Sequence, residues 1–169
     1  KIKTKNYWGA DRQVVECRTD FPAWPMADAH VYYQDRDFIR SDEVLTVELG
    51  RGCKFNCKFC SFTVKNAKGD LSRCADSLYN ELRTNYIKWG TQHYTVGDET
   101  INDNKQKLAK CADVVKRIKE EFPDFDLQLG GYARADLMVN WKDTWQDIWD
   151  MGLWSMFYGN QESVVVSNL

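Results

Sequence analysis

From residue 44 to residue 158 the chain alternates short apolar runs with amphipathic stretches of helical period, and that alternation restricts its fold more than any other feature. Val44–Leu49, His93–Val96, Phe125–Leu129 and Leu153–Tyr158 read as strands. Between them, residues 71–89 set Leu78, Leu82, Tyr86 and Trp89 at helical spacing, with Leu71 and Ala75 extending the face and Gly90 as terminator. Residues 104–121 carry Leu108, Cys111, Ala112, Val115, Ile118 and Phe122 on one side, with Asn102 or Asp103 as the cap and Pro123 as the stop. Residues 141–151 would form a third helix with Trp141, Trp145, Ile148 and Trp149 inward, closing at Gly152. A helix between consecutive strands returns the chain to the same edge of a sheet, so the expected class is α/β with parallel strands. Residues 1–42 lack sustained periodicity and are read as an irregular extension preceding a core of residues 43–169, with Val31–Tyr33 as a possible edge strand.

The 169 residues suit one ordinary domain, and 43% hydrophobic with 28% charged residues is globular rather than disordered. A formal net charge of -2 gives no general attraction to nucleic acid or anionic lipid. Nothing approaches the roughly 18 consecutive apolar residues of a spanning helix, and the start lacks a signal-peptide apolar block. The expectation is a cytoplasmic protein without membrane or nucleic-acid partners. Six cysteines could form three disulfides in a secreted protein, yet three are crowded at Cys53, Cys57 and Cys60 while Cys17, Cys74 and Cys111 are scattered. One metal-binding loop in a reducing compartment explains that distribution more simply. Cys74 and Cys111 are read as small buried hydrophobes on helix faces.

In α/β folds the chemistry gathers at the carboxyl ends of the strands. The cysteine loop, Gly97-Asp98-Glu99, Gly130-Gly131 with Arg134, and Gly159 with Glu162 each follow a strand. Three thiolates leave a tetrahedral zinc one ligand short, with Cys17, Cys74, Cys111, His30 and His93 as candidates for the fourth. A redox pair Cys57–Cys60 would want a helix N-terminus directly behind it. An iron–sulfur cluster accepts three protein thiolates and one outside ligand, and soft sulfur donors favour it.

The Cys-x3-Cys-x2-Cys spacing, with Phe59 before the last cysteine and Glu48-Leu49-Gly50-Arg51-Gly52 ahead of the first, resembles the signature of the radical S-adenosylmethionine superfamily. It is most similar to the branch of cobalamin-dependent and methylthiolating members. The resemblance extends through most of residues 43–163. It implies a partial (β/α) TIM-like barrel, here truncated after about four strands, with a [4Fe-4S] cluster on Cys53, Cys57 and Cys60. It implies S-adenosylmethionine on the open iron, cleaved reductively to a 5′-deoxyadenosyl radical that abstracts hydrogen from a substrate the sequence does not identify. A flavodoxin- or ferredoxin-type electron donor would be the partner, and cobalamin a possible second cofactor. By the same resemblance Phe59 would lie beside the adenine. Gly97 with Asp98 or Glu99 would hold the methionine ammonium, Asp98 replacing the family's second glycine. Arg134 would pair with the methionine carboxylate, and Glu162, displaced by one extra residue, would contact the ribose. The carboxylates could instead cap the helix that follows them, and Arg134 could form a surface pair with Asp136. The alternative from another class is a non-catalytic iron–sulfur or zinc module for electron transfer or protein contact.

Overall fold

The computed structural model describes residues 2–5, 11–14, 33–55, 57 and 72–158. Besides two 3-10 turns, they form ten strands and α-helices in the order β1 (Ile2–Lys5), β2 (Asp11–Val14), β3 (Val44–Val47), α1 (Ala75–Trp89), β4 (His93–Val96), α2 (Lys105–Glu121), β5 (Gln128–Ala133), α3 (Ala135–Asn140), α4 (Trp145–Asp150) and β6 (Leu153–Tyr158). Strands β3 to β6 make a four-stranded parallel sheet in which neighbours in sequence are neighbours in space. Strands β1 and β2 pair antiparallel, so the opening segment holds regular structure that its mixed composition did not announce. Val31 and Tyr32 lie outside the described residues, and Tyr33 is not in a strand.

The sheet is two-faced because β3, β4 and β5 alternate. Leu45, Val47, Tyr94, Val96 and Leu129 are buried, whereas Val44, Thr46, Thr95, Gly97 and Tyr132 are exposed between them. The buried face meets Leu78 and Leu82 of α1, Leu108, Cys111, Val115 and Ile118 of α2, and Ile148 of α4 in one core. Complete burial of such a side chain contributes about 1.5–3 kcal/mol, so α2, with five residues at 2% exposure or less, is the main staple of the sheet.

Helix starts and stops follow local chemistry. The Asn104 side chain, rather than Asn102 or Asp103, caps α2 by accepting from the amides of Gln106 at 2.9 Å and Lys107 at 3.4 Å. Gly90 closes α1 in the left-handed conformation at φ 71°, its amide donating to the Tyr86 carbonyl. The third helical stretch departs from expectation. Residues 141–151 hold only a 3-10 turn at Lys142–Thr144 and the short α4, and α3 lies ahead of them. Within α4 the tryptophans face away from the core: Trp149 is 80% and Trp145 51% exposed, while Ile148 and, just past the helix, Met151 are buried. The strand expected at Phe125–Leu129 also begins later and runs to Ala133, with a register shift against β6 at Leu129–Gly130.

Outside the core, α1 and α2 are joined by a polar clasp. Glu121 is held by the Arg83 guanidinium and by the Tyr79 hydroxyl at 2.8 Å. These partners lower the Glu121 carboxyl from 4.5 to about 2, the arginine contributing first. Because its folded-state pKa lies below the unfolded one, the clasp is complete above about pH 4.5 and is lost as the pH falls through about 2. Carboxyl NMR titration of Glu121 should give a midpoint near 2 in the parent. In Arg83→Met the midpoint should move toward 4.5; an unmoved midpoint would show that the arginine does not hold it. Among the described residues no helix is long and apolar enough to cross a membrane.

Candidate functional site

The path of the chain past β3 is set by hydrogen bonds to its backbone. Gly50 bridges Ser72, and the Arg73 amide donates to the Leu49 carbonyl at 2.8 Å, so the two ends of the segment carrying the three cysteines meet. The Arg73 side chain, 2% exposed, pairs with Glu81 at 2.5 Å and donates to the Glu48 carbonyl at 3.3 Å. Lys110 adds bonds to the Ser72 hydroxyl and the Arg73 carbonyl. Helices α1 and α2 thereby fix the frame of the loop.

Within that frame the ends of β3, β4 and β5 converge. Asp98, 3% exposed, accepts on one oxygen from the amides of Leu49 at 2.8 Å and Gly50 at 3.1 Å. Its other oxygen takes Lys107 at 3.0 Å. Burial raises the Asp98 carboxyl, and Lys107 and the two amides draw it back part of the way. Glu99 accepts from the Gly52 amide at 3.0 Å on one oxygen, and its second oxygen has no hydrogen-bond partner among the described residues. Gly52 sits at φ 88°, a conformation that favours glycine just before Cys53. Cys53 lies 3.9 Å from the Thr100 hydroxyl.

Arg134 arrives from the end of β5. Its backbone is gripped twice by the Asn102 side chain, at 2.9 and 2.8 Å, and its guanidinium pairs bidentately with Asp136 at 3.0 and 2.8 Å. The same guanidinium lies 4.0 Å over the Phe55 ring and points one nitrogen at the Cys57 sulfur, 3.5 Å away. Lys54 stacks over Trp141 at 4.7 Å. Cys53 and Cys57 are therefore half-buried soft sulfur donors, Cys57 beside the Arg134 guanidinium and Cys53 beside the Thr100 hydroxyl. The described part of the loop thus supplies two sulfur donors of the kind an iron–sulfur group takes.

Of the residues singled out in the sequence, Cys53, Cys57, Gly97, Asp98, Glu99 and Arg134 lie at these strand ends, whereas Phe59, Cys60 and Glu162 lie outside the described residues. So do Cys17 and His30. With Cys60 outside, no group of three or more metal-binding side chains gathers among the described residues. Cys111 is buried, its thiol pushed up to about 12 first by burial and then by Asp98, so it stays protonated. Cys74 departs from the expected buried helix position: it is exposed, at the cap of α1. Lys107, Arg73, Asn102 and Phe55 went unremarked as functional residues, because each acts through a partner distant in sequence.

No protein-family model matches the chain. An uncharacterized methyltransferase of Pyrococcus horikoshii is 31% identical over 75 residues, which are 44% of this chain and 16% of that protein. Among solved structures, the radical S-adenosylmethionine methyltransferase TsrM from Kitasatospora setae, with tryptophan substrate and aza-SAM bound, matches with a TM-score of 0.54 and 17% identity. That match covers 74% of this chain and 23% of TsrM. TsrM with cobalamin and a [4Fe-4S] cluster bound gives 0.51 and 16%, over 75% and 22% of the two chains. The fold is that of one part of TsrM. The chain spans less than a quarter of TsrM and about a sixth of the Pyrococcus protein.

Proposed function

We propose that this chain is the part of a radical S-adenosylmethionine enzyme that binds the cluster and S-adenosylmethionine, and that the reaction it serves is methyl transfer. The observation that carries the proposal is the convergence at the cysteine loop: Glu99 from the end of β4 on the Gly52 amide, and Arg134 from the end of β5 on the Cys57 sulfur. The strand order, β3-β4-β5-β6 without a switch, supports reading the sheet as an arc of a (β/α) barrel. The fold likeness to TsrM and the methyltransferase relative support the reaction class.

Cys53, Cys57 and Cys60 would hold a [4Fe-4S] cluster. When bound, it supplies the electron that cleaves the sulfonium of S-adenosylmethionine, taken in turn from a small electron-donor protein. The chain's own groups orient the nucleotide. Glu99 keeps one oxygen on Gly52 and would offer the other to the methionine ammonium, while Asp98 is already engaged on both oxygens. Gly97 leaves the strand end open beside it. Arg134 points one nitrogen at the Cys57 sulfur and gives its other two to Asp136, so it would take the methionine carboxylate by exchanging Asp136 for it. Phe59 beside the adenine and Glu162 on the ribose complete the assignment. Cobalamin is bound by TsrM and is the second cofactor to add in assays of methylation.

Equilibrium binding of S-adenosylmethionine to the anaerobically reconstituted chain tests the assignment. Removing a charged acceptor from the ammonium should weaken binding about 10- to 100-fold in Glu99→Gln. Unchanged affinity in that variant would remove Glu99 from the site, and no binding to the reconstituted parent would leave an iron–sulfur module without this nucleotide chemistry.

A further inference from the structure

Lys107 is a buried cation that the proposed chemistry leaves unused. It is 5% exposed, sits in the first turn of α2, and is surrounded by Asp98 at 3.0 Å, Asp103 at 2.7 Å and the Thr100 carbonyl at 2.8 Å. Burial alone would drive its proton off, but the two carboxylates outweigh burial and raise its pKa, so it remains a cation. A charged side chain in this position is costly unless its partners are fixed, and here they are. The far side of Asp98 is what gives the pair a purpose. One carboxylate oxygen takes two successive amides, Leu49 and Gly50, at the point where β3 becomes the cysteine loop. The neighbouring Glu99 takes the next amide but one, Gly52. Two adjacent carboxylates on the end of β4 thus hold three amides in the four residues before Cys53, and the deeper of the two is locked from behind by α2.

We infer that the Asp98–Lys107 pair is a positioning device for the cysteine loop, fixing the backbone that delivers Cys53 to its place at the strand ends. Asp98 acts through the amides and Lys107 acts through Asp98; neither touches the sulfur. The pair's work concerns the backbone and exists whether or not iron is bound. Its test is therefore separate from that of the proposed function.

The experiment compares two double variants of the full chain under reducing conditions, both of which remove the buried charges. Asp98→Asn with Lys107→Met keeps an acceptor for the amides; Asp98→Ala with Lys107→Met does not. Hydrogen exchange read by mass spectrometry, together with the alkylation rate of Cys53 relative to exposed Cys74, reports the loop directly. In the alanine pair, exchange over Leu49–Gly52 should accelerate about tenfold or more, the scale of a lost charge-assisted hydrogen bond. Alkylation of Cys53 should rise with it, while the core of α2 keeps its protection. The asparagine pair should hold the loop within about threefold of the parent. Equal loop exchange in the alanine pair and the parent would overturn the inference. So would acceleration spread evenly through the Val114–Ile118 core, since the pair would then serve overall stability alone. A chain that takes up no iron would leave this result standing and sink only the reading of function.

Discussion

Replacing Gly152 by alanine is expected to be the most damaging single-methyl change in the sheet. Gly152 turns the chain from α4 into β6 at φ 78°, a conformation that costs an L-residue about 1–2 kcal/mol. A methyl group there would lie 2.1 Å from the Leu127 carbonyl oxygen, a backbone atom that cannot rotate away. The Gly152 carbonyl also accepts from the Leu129 amide at 2.8 Å, so moving the turn breaks the entry of β5. The sum should be at least about 3 kcal/mol, or a fall in Tm of roughly 6–12 °C for a chain of this size. The same change at two other glycines calibrates the effect. Gly131→Ala would press on the Ile101 methyl at 2.6 Å, a side-chain end that can give, as well as on Val96. Gly90→Ala, with its nearest neighbour at 3.4 Å, should cost about 1 kcal/mol for conformation alone. Thermal unfolding of the three should rank them 152, 131, 90, with Gly90→Ala mildest; a Gly152→Ala protein as stable as Gly90→Ala would refute the packing of that turn.

The second large effect is expected in iron content. Cys57→Ala removes the thiol beside Arg134 and Cys53→Ala the one beside Thr100, and either should reduce bound iron and sulfide after anaerobic reconstitution to a small fraction of the parent's. Cys74→Ala and Cys111→Ala are the informative controls. The former is exposed at a helix cap and the latter lies protonated in the core, so both should reconstitute like the parent. If Cys111→Ala lost metal as completely as Cys57→Ala, a fourth protein donor would be implicated and the zinc-like alternative would gain the ground.

The sheet was legible because its first three strands alternate and its helices are bounded by Gly90, Pro123 and Gly152, signals that act within a few residues. Helix α2 shows this well, since every expected inward residue from Leu108 to Ile118 is buried. The Trp-rich stretch shows the limit of that signal: Trp145 and Trp149 do share one helix at i, i+4 spacing, but the six-residue α4 buries Ile148 and leaves both tryptophans exposed. The 3-10 turn at Lys142–Thr144 separates only Trp141 from that helix. The candidate site was legible as a set of strand ends and not as a set of contacts. Asp98 and Glu99 are adjacent and chemically alike, yet one is buried against Lys107 and the other turns to Gly52, a division that depends on α2 packing behind β4. Asn102 looked like a helix cap and instead holds the backbone of Arg134, 32 residues away.

Electron paramagnetic resonance of the reduced, reconstituted chain with and without S-adenosylmethionine tests the central claim most directly. The account predicts about four irons and four sulfides per chain, and a reduced-cluster spectrum that changes when S-adenosylmethionine occupies an iron left open by three cysteines. A spectrum indifferent to S-adenosylmethionine, or a single divalent ion tightly held by four protein donors, would contradict it.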